Sequence, residues 1–149
     1  MFHESDSTAD LIGNWRWLVG GSARLLGWAS SGDLFIIDAK GVITRIDTGS
    51  GDLEPCASSV GEFYLGLEDH ERAEGLLLLP VVREFEARHG QLGSGECLGF
   101  TKLPVFGGVY SVDNRFRIAV AEHASLTGDV HHQIRDLRDG EQVAVKVIS

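Results

Sequence analysis

Three histidines fall close together near the C-terminal end of the chain, His123, His131 and His132, with Glu122 and Asp129 among them. Imidazole and carboxylate groups are zinc ligands and also the usual acid–base pair of enzymes. Either use needs the side chains on one face. Along a helix, the eight residues from His123 to His131 turn roughly 800°, which leaves the two about 80° apart, with His132 further round. That spacing is poor for a shared ligand set. The sequence therefore reads as holding no metal and no cofactor, with one histidine packed or hydrogen-bonded and the other solvated. Cys56 and Cys97 stand alone, with no CxxC spacing, and read as reduced thiols, Cys97 as a small buried hydrophobe. No nucleophile elbow, phosphate loop, dinucleotide fingerprint, HExxH or calcium loop occurs. Gly49-Ser50-Gly51-Asp52 lacks the lysine and helix start of a phosphate loop, so it reads as a hairpin turn. No catalytic residue is assigned, and the chain reads as a protein that is not an enzyme.

Charge narrows the partners. Thirteen Lys and Arg face 22 Asp and Glu, a formal net charge of -9. No basic patch is present to replace phosphate counterions, so nucleic acid is not an expected partner. Glu62, Glu68, Asp69, Glu71 and Glu74 lie in one short stretch with Arg72 as its single base. This run is either a solvated helix face or an acidic docking surface for a basic protein, and these five residues are the candidate partner contacts. No apolar run approaches the roughly 20 residues of a membrane span. The acidic start differs from a secretory signal, so a cytoplasmic location is expected.

The length of 149 residues suits one domain over residues 1–149, with residues 1–10 read as a frayed polar end. Leu25–Ala29, Leu34–Ile37 and Val42–Ile46 read as strands joined by short turns, the spacing of antiparallel hairpins. Ser59 and Glu62 form a capping box for a helix carrying Val60, Phe63, Tyr64 and Leu67 on one face. Pro80 opens a second helix, with Val81, Val82, Phe85 and His89 inward and Gly90 as its stop. Phe116, Ile118 and Val120 alternate as a strand. Leu126, Val130, Ile134 and Leu137 fit a helix in which Gly128 costs about 1 kcal/mol relative to alanine, so some other demand must call for it. Asp139-Gly140 turns the chain into a last strand with Val143, Val145 and Val147. The expected fold class is α+β, a twisted, mostly antiparallel sheet with helices packed on one face.

Several residue groups recur in a known order. Leu103, Pro104, Phe106, Gly107 and Gly108 form an apolar-Pro-x-Phe-Gly-Gly core. Asp113-Asn114 follows, then Gly128-x-Val130-His131-x-Gln133, then Leu137-x-Asp139-Gly140. Together with the Trp28–Phe35 hairpin, this pattern resembles the C-terminal domain of GAD-like proteins, and distantly the yeast cell-wall-assembly regulators. Longer members of the family carry an extra N-terminal GAD-like domain, whereas about a dozen residues precede the likeness here. The resemblance implies a bacterial immunity protein that protects its cell from a DNase effector of a type VI secretion system, a toxin–antitoxin pairing. Its partner would then be a basic nuclease toxin.

The motif residues also have a physical reading of their own. Gly107-Gly108 permits a sharp turn after Phe106. Asn114 can bond nearby backbone. His131 and Gln133 can tie the helix to that turn. These roles are architectural. A general interaction domain, and an enzyme built on a His-Asp-Glu cleft, stand as the alternatives.

Overall fold

The structure is a computed structural model that describes residues 1–5 and 10–137. The alternating runs of the N-terminal half form a five-stranded antiparallel meander in chain order: β1 (Phe2–Glu4), β2 (Arg24–Ala29), β3 (Leu34–Ile37), β4 (Ile43–Ile46) and β5 (Leu53–Ala57). Three helices follow, α2 (Val60–Leu67), α3 (His70–Leu76) and α4 (Leu79–His89), after a short α1 (Arg16–Val19) earlier in the chain. A second antiparallel pair, β6 (Glu96–Phe100) and β7 (Arg115–Ala119), leads directly into α5 (Val120–Ile134).

All four residues of β3 are buried, because both faces of the large sheet are covered. Successive side chains point to opposite faces. Leu34 and Ile36 pack with Trp28, Ile46, Trp15, Val120 and Ala124, the side of the N-terminal turn and α5. Phe35 and Ile37 pack with Ile43, Phe63 and Leu77, the side of α2 and α3. The α+β class and antiparallel pairing agree with the sequence reading, while the helices lie on two faces where one was expected. The capping box forms with a small change. Ser59 Oγ accepts from the Glu62 amide at 3.1 Å, but the Glu62 carboxylate returns to Ser58.

The expected frayed end is corrected in part. Phe2–Glu4 pairs with Gly27–Ala29, and the Phe2 ring lies 5.5 Å from that of Phe35 and 5.2 Å from that of Phe63. A three-residue strand with one aromatic is too short to show periodicity in sequence. The expected strand through Val120 ends one residue earlier, and α5 begins there. The Asp139-Gly140 turn and the strand at Val143, Val145 and Val147 lie outside the described residues.

The demand on Gly128 is visible. A β-carbon there would sit 2.6 Å from the carbonyl oxygen of Asn14. The turn carrying Asn14 is bound to α5 through Trp15 Nε1 to Ala124 O at 3.0 Å, Trp17 Nε1 to Gly128 O at 3.2 Å and Asn14 Nδ2 to Ser125 O at 2.9 Å. Gly61, on the outer side of α2, has nothing within 4 Å of its would-be β-carbon. Gly61→Ala should therefore stabilise the protein by about 0.5–1 kcal/mol. Gly128→Ala should destabilise it by about 1–3 kcal/mol despite the same gain in propensity. Urea midpoints of the two variants check the opposite signs.

Candidate functional site

The polar residues of the C-terminal half converge on one turn. Between β4 and β5, residues Asp47–Asp52 reverse the chain, and Asp47 Oδ1 accepts from the Gly49 and Ser50 amides at 3.0 and 3.2 Å. Thr48, fully buried within this turn, uses every polar group it has. Its amide donates to Asp33 Oδ1 at 3.2 Å, and its hydroxyl donates to the Gly32 carbonyl at 3.1 Å. With the hydroxyl proton so placed, His123 Nε2 donates to Thr48 Oγ1 at 2.9 Å. His131 Nε2 donates to the Thr48 carbonyl at 2.9 Å.

The two histidines, spaced two turns apart on α5, thus hold one threonine. Both are buried, which corrects the expectation that one would be solvated. The roughly 80° between them is absorbed because one reaches the hydroxyl and the other the carbonyl. His132, on the outer side of the helix, stacks on Trp17 at 5.0 Å. His131 therefore ties the helix to the β4–β5 turn, not to Gly107-Gly108 as the sequence suggested. Gln133 donates to Asp129 within α5 at 3.0 Å. Gly51, at φ +83°, leaves the space for the His131 ring, 2.8 Å from a would-be β-carbon.

Two charges complete this centre, and sequence reading missed both. Asp33 is buried, and burial, reinforced by Asp47, raises its pKa to about 6 against the opposing pull of Arg45, 3.7 Å away. Arg115 is buried over the Phe100 ring at 3.8 Å and donates to the carbonyls of Ser31 and Leu98. Burial lowers its pKa to about 10, opposed by Asp33. An Arg within an alternating strand and an Asp in a Ser-Ser-Gly-Asp turn both read as surface residues in sequence, and only tertiary packing buries them.

The long connection between β6 and β7 is mounted on this centre. Tyr110 donates to Asp47 Oδ2 at 2.9 Å, and the Val105 amide donates to the Gly49 carbonyl at 3.1 Å. Pro104 starts a 3-10 turn that ends at Gly107, φ +97°. A β-carbon on Gly108 would overlap the Lys102 carbonyl. Asn114 pins both limbs of the loop: its Nδ2 donates to the carbonyls of Lys102 at 2.8 Å and Val109 at 2.7 Å, and its Oδ1 accepts from the Lys102 amide at 2.9 Å. Of the motif residues, Pro104, Phe106, Gly107, Gly108 and Asn114 build this loop, and His131 and Gly128 seat α5 beside it. Gly140 lies outside the described residues. The outer surface of the loop carries Val105, Phe106 and Val109, with Phe116 next to it on β7, all at least 39% exposed.

The five candidate acids lie on α2, on α3 and at Glu68-Asp69 between them, and several have local roles. Glu62 bonds Ser58, which holds its carboxyl below the ordinary value. Asp69 caps α3 by accepting from the Arg72 amide at 3.1 Å. Glu74 pairs with Arg83 at 2.7 Å and His70 at 3.2 Å, chiefly Arg83 lowering its pKa. Glu68 and Glu71 are exposed and form no ion pair among the described residues. No group of three or more His, Cys, Asp or Glu is placed to hold a metal among the described residues. Burial pushes the Cys97 thiol up to about 12 and the Cys56 thiol to about 11, the wrong direction for a thiolate nucleophile. Among the described residues no helix is long and apolar enough to cross a membrane.

The centre has opposing pH dependences. Burial lowers the His123 pKa from 6.5 to about 3 and also lowers that of His131. Their stability contribution is present above pH 6.5 and is lost as pH falls, because the unfolded chain takes up protons first. Asp33 runs the other way: its contribution is present below pH 3.8 and is lost as pH rises through about 6. Two histidines against one carboxyl predict net loss of stability from pH 6.5 towards 4. Asp33→Asn should steepen that loss by removing the opposing slope. Urea midpoints measured at half-unit steps check this, and a flat wild-type profile would contradict it.

No curated protein matches the chain. A solved structure described as "Crystal structure of Atu4351 from Agrobacterium tumefaciens" superposes with a TM-score of 0.58 at 15% identity, a likeness of fold. The match covers 77% of this chain, and the chain spans 61% of the length of that one. Residues 57–131, from the end of β5 to His131, match the family of the T6SS immunity protein Tdi1, C-terminal. This stretch is just over half of the chain and contains α2–α4, the mounted loop and most of α5. The chain therefore belongs to the T6SS immunity protein Tdi1 C-terminal family.

Proposed function

We propose that this protein is a non-enzymatic immunity protein that binds and neutralises a nuclease toxin of a type VI secretion system. The observation that carries the reading is the family match over residues 57–131. Three features support it. The buried centre uses His123, His131 and Asp33 to hold Thr48, which gives these groups a structural role. The net charge of -9 suits a basic partner, and a DNA-cleaving protein presents basic surface to phosphate. Glu68 and Glu71 stand exposed at the junction of α2 and α3, where complementary charge would speed encounter. A partner acting on DNA places the encounter in the cytoplasm.

The test is titration of the purified chain with the product of the neighbouring gene. One-to-one binding and loss of nuclease activity are expected. Glu68→Lys with Glu71→Lys should slow association roughly tenfold at low salt, with the difference shrinking as salt rises. Asp69 is left intact, since losing this cap costs about 1 kcal/mol of stability. No binding by the wild-type chain would overturn the reading. Unchanged association of the double variant would remove α2–α3 from the interface.

A further inference from the structure

The loop between β6 and β7 presents a patch that its own fold does not use. Val105, Phe106, Val109 and Phe116 are 40, 39, 55 and 41% exposed, which puts four of the large exposed apolar side chains within twelve residues. Beside them runs a groove of about 310 Å³ between the loop and α5, with Leu103, Phe106, Phe116, Ile118, Leu126 and Val130 among its walls. The sequence assigned Leu126 and Val130 to the apolar stripe of their helix, and here they line this groove. Scattered exposed apolar residues are ordinary, but a clustered patch beside a groove marks a contact surface. Asn114, Gly108 and the Val105–Gly49 hydrogen bond hold the patch rigid, so little ordering entropy would be lost when a partner seats on it.

Charge selects the occupant. Glu122 and Asp129 flank Leu126 at four residues before and three after, on the same side of α5. Lys102 is the one base among the groove-lining residues besides the neutral His123. An apolar floor with an acidic helical rim fits a segment that carries an apolar anchor between basic residues. We infer that this groove is the anchoring site for such a segment of the nuclease toxin. This inference rests on the immunity reading above and names the surface that makes it specific.

The experiment is calorimetric titration of the full chain, and of Phe106→Ala, Val109→Arg and Glu122→Lys, with the product of the neighbouring gene. Val109 points outward and contributes only its carbonyl to the Asn114 clamp, so Val109→Arg leaves the loop intact. Phe106→Ala and Val109→Arg should each weaken binding about tenfold or more with thermal midpoints unchanged, and Glu122→Lys should slow association at low salt. Wild-type affinity in both loop variants, beside a wild-type chain that binds, would overturn the anchoring site and leave the immunity reading standing. No binding by the wild-type chain would overturn both. A lowered thermal midpoint in Phe106→Ala with binding intact would mean that the chain's own residues close the groove. A concentration-dependent dimer abolished by Val109→Arg would mean that a second copy does. Either result overturns the proposal.

Discussion

Thr48 is the point on which the C-terminal half of the molecule is assembled. Its amide, carbonyl and hydroxyl are all satisfied, by Asp33, His131, Gly32 and His123, and these partners come from the β2–β3 turn and from two positions on α5. A buried polar group left without a partner costs about 1–3 kcal/mol. The four bonds must therefore form together, and forming them fixes where the β4–β5 turn lies against α5. The loop that carries the family motif is mounted on that turn through Tyr110 and Val105. Its position is inherited from the threonine.

This dependence gives residues that look chemical a structural role. His123, buried and held neutral, bonds a hydroxyl, as in many hydrolases. Here the hydroxyl is already committed to a carbonyl, both residues are buried, and the Asp33 carboxylate receives the threonine amide. Arg115 donates to the carbonyls of Ser31, Leu98 and Tyr110 and lies over an aromatic face. The same low dielectric that shifts these pKa values makes each unmet partner costly, so the network sets a single arrangement of turn, helix and loop.

The sequence made the strands, the capped α2 and the start of α4 legible, because alternation, a capping box and a first-turn proline are local signals. It also made Gly128 legible as an anomaly, though not its cause, since Asn14 is distant in sequence. The mounted loop was legible as a motif through Pro104, Gly107, Gly108 and Asn114, with Asn114 reaching across the loop where bonding to nearby backbone was expected. Asp33, Thr48 and Arg115 were not legible. Polar residues in turns and on an alternating strand carry no mark of burial, and their meaning comes from contacts such as Asp33–Thr48, Thr48–His123 and Arg115–Ser31, fifteen or more residues apart in sequence. Exposure of Phe106 and Val109 is also a tertiary fact. The five acids were found by composition, but composition does not separate Glu68 and Glu71 from the acid that caps a helix and those that bond nearby side chains.

Native-state hydrogen exchange on Thr48→Val tests the central claim most directly. The valine keeps the shape and removes the hydroxyl shared by Gly32 and His123. The account predicts that the amides of Thr101, Lys102, Val105 and Gly108, which hold the mounted loop, lose protection first. Amides of the β2–β3 ladder should keep theirs. Uniform loss across both regions, or full protection of the loop, would contradict it.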